Sequence, residues 1–161
     1  MSQEYNQQIH RRFYEEVVNQ CKLNLIDEWF AWNYTSRALH PCFPPGREGL
    51  KAFVRAFHTA FPDAWVTVDH LSADGNESIA RITFRGTPMA QFHGVTPLGQ
   101  AVVIHTIDIA RFDDGKCVEQ WGGLNIFNLS YHLNTAAASR TPTPPIHLAQ
   151  PAKFPRARAL G

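Results

Sequence analysis

Residues 100–116 read QAVVIHTIDIARFDDGK. From 101 to 112 branched apolar residues dominate, which predicts a β-strand, and DDGK predicts a hairpin turn in which Gly115 supplies a positive φ. Side chains alternate along a strand. Ile104, Thr106, Asp108 and Ala110 therefore share one face, and Val103, His105, Ile107, Ile109 and Arg111 share the other. A carboxylate in the middle of such a strand needs partners, because burying it alone costs several kcal/mol.

Working outward, ADGN at 73–76 predicts a second hairpin. Strands over 64–72 and 78–87 are then antiparallel, as are those over 101–112 and 117–127. The connection at 88–99 is too long for a tight turn. Before Asp63 the period is helical. Ile9, Phe13, Val17 and Val18 predict an amphipathic helix over 4–20. Leu25, Ile26, Trp29 and Phe30 predict a shorter one over 24–32 with Asn24 as N-cap, and Leu50, Phe53, Val54, Phe57 and Phe61 a third that Pro62 stops. Between the last two, RALHPCFPPG cannot continue a helix. Helices first and then a curled antiparallel meander predict an α+β domain, three helices covering one face of a curved sheet.

The chain has 161 residues, of which 44% are hydrophobic, enough for one substantial core. Fifteen basic against 14 acidic residues leave a net charge of +1, which gives no electrostatic footprint for nucleic acid or a membrane surface. Cys21, Cys42 and Cys117 are widely spaced, with no CxxC pair and no basic leader before an apolar run, so a reducing cytoplasm is expected. No apolar run reaches the roughly 18 residues of a membrane span. Residues 1–134 form the expected domain. Residues 135–161, with five prolines, four basic residues and no acid, read as a separate tail, either disordered or an arm wrapping the domain.

The order of segments carries a resemblance. RRFYEEVVNQCKLNLIDEWFAWNY, then HP and PGREGLKAFVRAFHTAFPD, then RGT, FHGVTPLGQ and IDIARFDDGKCVEQW resemble the SnoaL-like polyketide cyclases, within the nuclear-transport-factor-2-like and ketosteroid-isomerase-like superfamily, over Ile9 to about Leu133. The resemblance implies a cone of three helices against a strongly curved, mainly antiparallel sheet that encloses an apolar pocket, often in a dimer joined across the outer sheet face. Two positions depart from the family pattern. GTPMA stands where GTHxG is common, putting Pro88 in place of a pocket histidine, and EQWGGLN offers Gly122, Gly123 and Asn125 where an acid/base aspartate is common.

Asp108 is the expected general base: its face should be concave, the family has a polar pocket residue aligned with it, and a carboxylate in an apolar pocket suits removal of a proton beside a carbonyl. His40, in the proline-rich loop and matching the family's histidine–proline landmark, and Asn125, in place of the family aspartate, are the expected enolate stabilisers. Trp32, Tyr34, Phe43, Phe84, Phe92, His93 and Trp121 are the expected lining for a flat apolar ligand, with the Tyr14 and Tyr34 hydroxyls as further donors. No HxH or HExxH spacing points to a metal, no thiol has a base beside it, and no cofactor is expected. The expected activity is a cofactor-independent cyclase or isomerase of a polyketide- or terpenoid-like carbonyl compound. A hydrolase or dehydratase, or a non-catalytic binder, are the alternatives. A homodimer is expected across the face carrying Val103, Ile107 and Ile109, with His105 also facing outward.

Overall fold

The computed structural model describes residues 2–92 and 99–124. The chain opens with helix α1, Gln3–Arg12, whose first turn is capped by Ser2: its hydroxyl accepts a hydrogen bond from the Tyr5 amide at 3.2 Å. The expected continuous helix over 4–20 changes pitch. Phe13–Val18 is a π-helical turn, closed by a bond from the Asn19 amide to the Tyr14 carbonyl at 2.9 Å. The wider turn places the Asn19 side chain on the Val66 backbone, donating to its carbonyl and accepting from its amide, both at 2.8 Å. Such turns are uncommon and cluster at functional sites.

Helix α2 is Asn24–Trp29, shorter than the 24–32 expected, and its N-cap position is Leu23 rather than Asn24. From Phe30 the backbone is extended: Phe30–Ser36 forms strand β1, which the sequence reading did not anticipate, with Phe30 and Tyr34 as its buried residues. Helix α3, Gly46–Ala60, buries Leu50, Phe53, Val54, Phe57 and Ala60 on one face, as its spacing requires.

Four further strands follow: β2 Trp65–Asp74, β3 Glu77–Gly86, β4 Val102–Asp113 and β5 Lys116–Gly122. The two hairpins are antiparallel at the expected turns, and β3 pairs antiparallel with β4. Strand β1 adds to the far edge of β5 in parallel, so the sheet is mixed, with order β1-β5-β4-β3-β2. Strand β5 ends at Gly122, where Gly122 and Gly123 take φ of 80° and 69°, and 125–127 of the expected strand lie outside the described residues. A Cβ at Gly122 would stand 2.3 Å from the Ile107 carbonyl oxygen, so only glycine fits that reversal.

The helices cover one sheet face, and the core lies between them. Its aromatic centre is Phe57, Phe61 and Phe84, with ring centroids 5.1–5.3 Å apart. The other face carries Val103 and Ile107, 53% and 55% exposed, as the alternation in β4 requires. Among the described residues no helix is long and apolar enough to cross a membrane.

Candidate functional site

Asp108 is 1% exposed and points inward from β4. Its neighbours across the sheet are Ala80 on β3 and Gly122 on β5, and their small side chains leave room above it for groups from the helical layer. Three donors fill that room, and all of them meet Oδ2. The Tyr14 hydroxyl donates at 2.6 Å, Gln120 Nε2 donates at 2.8 Å, and His10 Nε2 lies at 3.1 Å. An ionised carboxylate only accepts, so His10 supplies an Nε2–H to it. The other ring nitrogen, Nδ1, is 3.0 Å from the hydroxyl of Ser78, which is also buried and sits beside Ala110 on β3. The network extends from Gln120 to Tyr34, whose hydroxyl donates to Oε1 at 2.7 Å.

Local structure explains each position. His10 and Tyr14 are four residues apart, one on α1 and one in the π turn, so both project from one side of the helical segment. Gln120 points inward because β5 has a bulge. Cys117 pairs with Phe112 and Glu119 with Arg111, leaving Val118 as the extra residue, after which Gln120 pairs with Ala110 on the inner face. Gly123 borders the carboxylate directly: a Cβ there would lie 2.9 Å from the Tyr14 hydroxyl oxygen and 3.3 Å from Asp108 Oδ1.

Asp108, Tyr14, Tyr34 and Gln120 line a chamber of about 40 Å³ whose other walls include Leu39, Leu50 and Phe53. It has room for a few water molecules. Burial, then the charge of Asp108 and the hydrogen bond to it, push the Tyr14 phenol well above its ordinary range. Burial does the same to Tyr34 and to the Cys117 thiol, so all three stay protonated near neutral pH. Asp108 is the one carboxylate among the described residues of the lining. No group of three or more His, Cys, Asp and Glu side chains gathers to hold a metal among the described residues.

Of the residues expected at the site, the structure brings Asp108 and Tyr34 together. His40 does not reach them. It lines a neighbouring groove with Phe43, where its Nδ1 accepts the Cys42 amide at 3.2 Å. Phe84 is in the core, and Phe92 packs on Phe53 and Phe61, with centroids 6.2 and 6.0 Å away. Trp32 is corrected outright: as part of a strand it turns to solvent and is 84% exposed. Trp121 is also corrected, since it pairs with Ile109 on the outer face of the sheet. His105 faces outward as expected, against the Thr83 hydroxyl at 2.9 Å. His93, Asn125 and the tail over 135–161 lie outside the described residues. His10 and Gln120 were missed. The signal for His10 was present, a polar residue on the apolar side of the first helix, one turn before Tyr14.

Helices laid on a curved sheet around a buried carboxylate and its donors define a small α+β domain with a polar inner chamber. The family model described as SnoaL-like polyketide cyclase matches residues 8–130, and the chain belongs to that family. No curated protein sequence matches it. Among solved structures, TsrD from Streptomyces laurentii is similar at 24% identity and a TM-score of 0.71, over 83% of this chain and 97% of that one. IdmH from Streptomyces antibioticus, described as a candidate polyketide cyclase, shares 26% identity with a TM-score of 0.65, over 80% and 98%. A candidate polyketide cyclase from Bacillus cereus shares 26% identity with a TM-score of 0.67, over 83% and 85%.

The two phenols set the alkaline behaviour of the fold. Each is harder to ionise in the folded chain than in the unfolded one, where a tyrosine titrates near pH 10, at about its reference value. Their stabilisation is therefore complete below that pH and is lost as pH rises through the folded-state values. Denaturant titrations should show stability falling above about pH 10, with a shallower fall in Tyr14→Phe. A Tyr14 phenol that titrates with an ordinary midpoint in the folded protein would contradict the burial.

Proposed function

We propose that the protein is a cofactor-independent cyclase or isomerase of a polyketide- or terpenoid-like carbonyl compound, with Asp108 as general base. The observation that carries this reading is the distribution of bonds on one carboxylate. The hydrogen bonds from the described residues all fall on Oδ2, while Oδ1 borders Gly123 and the chamber. Three donors fix its orientation, and the second oxygen is left to take a proton. Membership in a family of polyketide cyclases supports the same class of chemistry.

In this mechanism Oδ1 removes a proton from carbon beside a carbonyl, and the C–H electron pair becomes an enolate. As the carboxylate loses its charge, the Tyr14 hydroxyl is released towards the enolate oxygen, the role expected of His40 from the sequence. The enolate carbon attacks a second carbonyl, one C–C bond forms, and the proton on Asp108 returns to the new alkoxide. An isomerase would return it to a different carbon. No electron acceptor or donor is required.

A binder without chemistry is favoured by the small volume of the chamber, and one experiment separates the two. 2-Tetralone carries acidic C–H bonds beside its carbonyl, so a base in the chamber should exchange them for deuterium in D2O, followed by NMR. Exchange above buffer should fall by about 10² to 10⁴ in Asp108→Asn, the usual range for general-base catalysis. Equal exchange by the two proteins, or none above buffer, would remove Asp108 from any mechanism.

The partner proposed at the outer face is a second copy of the chain. Val103, Ile107 and Trp65 are exposed there and the helices cover only the other face, a pattern that marks interfaces. Light scattering should give twice the chain mass at micromolar concentration; the mass of one chain would refute this.

A further inference from the structure

The chamber around Asp108 and the groove around His40 share a wall. Ser36 and Leu39 line both. The chamber holds about 40 Å³ and the groove about 290 Å³. Ligand sites for small organic molecules run from roughly 300 to 1,000 Å³, so the chamber is too small to hold such a molecule and the groove stands at the lower limit. Their linings also differ. The groove presents Phe43 and Pro41, Pro44 and Pro45, which offer flat apolar surface and no side-chain hydrogen-bond donor. The groove also carries the polar side chains of Thr35, Ser36 and His40, while the carboxylate of Asp108 is found only in the chamber lining.

The wall between them rests on one flexible side chain. The backbone around Leu39 is held, because the Ser36 hydroxyl oxygen accepts from the Leu39 amide at 3.1 Å and from the Ala38 amide at 3.3 Å. The leucine side chain lies over Gly49, where an added Cβ would come 2.8 Å from Leu39 Cδ2 and 1.7 Å from the Pro44 carbonyl oxygen. Leu39 is only partly buried against the core, which leaves its side chain room for another rotamer with the backbone in place.

We propose that Leu39 is the gate between an inner reaction chamber and an outer binding groove. The ligand is a flat, extended carbonyl compound whose apolar body lies in the groove beside Phe43 and His40 and whose reactive end passes Leu39 to Asp108. The proposal rests on the reading of the chamber as an acid/base site and adds where the remainder of the substrate lies. Leu39 thereby sets specificity: a compound too short to span both spaces loses the groove, and one too broad at its reactive end does not pass.

2-Naphthol tests the gate without turnover, since it is bicyclic, fluorescent and ends in an enol-like hydroxyl. A closed gate lowers apparent affinity by the fraction of time it is open, so Leu39→Ala should tighten binding about tenfold if the open form is near a tenth of the population. Leu39→Trp should abolish binding. NMR shifts on adding 2-naphthol should appear at Phe43 and His40 and also at Tyr34 and Gln120. If Leu39→Ala does not fold by thermal melting, Leu39→Met, more flexible at similar volume, should tighten binding by a smaller factor. Affinity unchanged in all folded variants, or shifts confined to one side of the wall, would overturn the gate. Gated 2-naphthol binding with no 2-tetralone exchange would keep the gate and reject the base, whereas exchange that is insensitive to Leu39 would do the reverse.

Discussion

Three donors from separate elements end on one oxygen of Asp108, and much of the molecule is arranged so that they can. α1 supplies His10, the π turn supplies Tyr14, and the bulged strand β5 supplies Gln120. A buried carboxylate deprived of these partners would cost several kcal/mol, a large share of the 5–15 kcal/mol or so that holds a typical domain together. The small residues follow from the same demand. Ala80 and Gly122 leave the space above Asp108, and Gly123 allows the chain to pass Tyr14 and the carboxylate at a distance that a methyl group would close.

The two faces of the sheet show why burial gives this network its weight. Outside, Arg37 and Arg111 flank Glu119 at 2.6 and 2.9 Å and hold its carboxyl below the usual range, and Asp69, Thr83 and His105 run in a row across three strands. Glu119 and Thr83 are buried there, but the two arginines reach solvent, and water screens ion pairs of that kind to at most about 1 kcal/mol. Inside, the chain from Tyr34 through Gln120, Asp108 and His10 to Ser78 is buried, where an unmet donor costs its desolvation. The distances are similar on both faces. Only the inner network can fix the conformation of the helical layer.

The sequence made the inner face of β4 legible because a strand has a strict period of two, and Asp108 falls inward on any register that buries Ile104 and Ala110. The same rule failed on β5. A single extra residue at Val118 resets the alternation, and a bulge of this kind is decided by pairing with β4 rather than by local pattern. Trp32 was misplaced for a related reason. Leu25, Ile26, Trp29 and Phe30 satisfy helical spacing, so the change to strand at Phe30, set by parallel pairing with β5, could not be read locally. His10 was overlooked because the helix was sorted by its apolar residues, and a histidine beside that stripe has no visible partner until β4 is folded against it. His40 matched a family landmark in sequence, and its place in the outer groove depended on how the proline-rich loop turns.

The dependence of the fold on this carboxylate is tested most directly by a double-mutant cycle. Tyr14→Phe, Asp108→Asn and the double variant would be unfolded in urea, and the Tyr14–Asp108 coupling taken as the departure from additivity. Contact through a 2.6 Å buried bond predicts a coupling of about 1–3 kcal/mol, with the double variant less destabilised than the two single losses together. Additivity to within about 0.5 kcal/mol would mean that the hydroxyl and the carboxylate act independently, and would contradict the account.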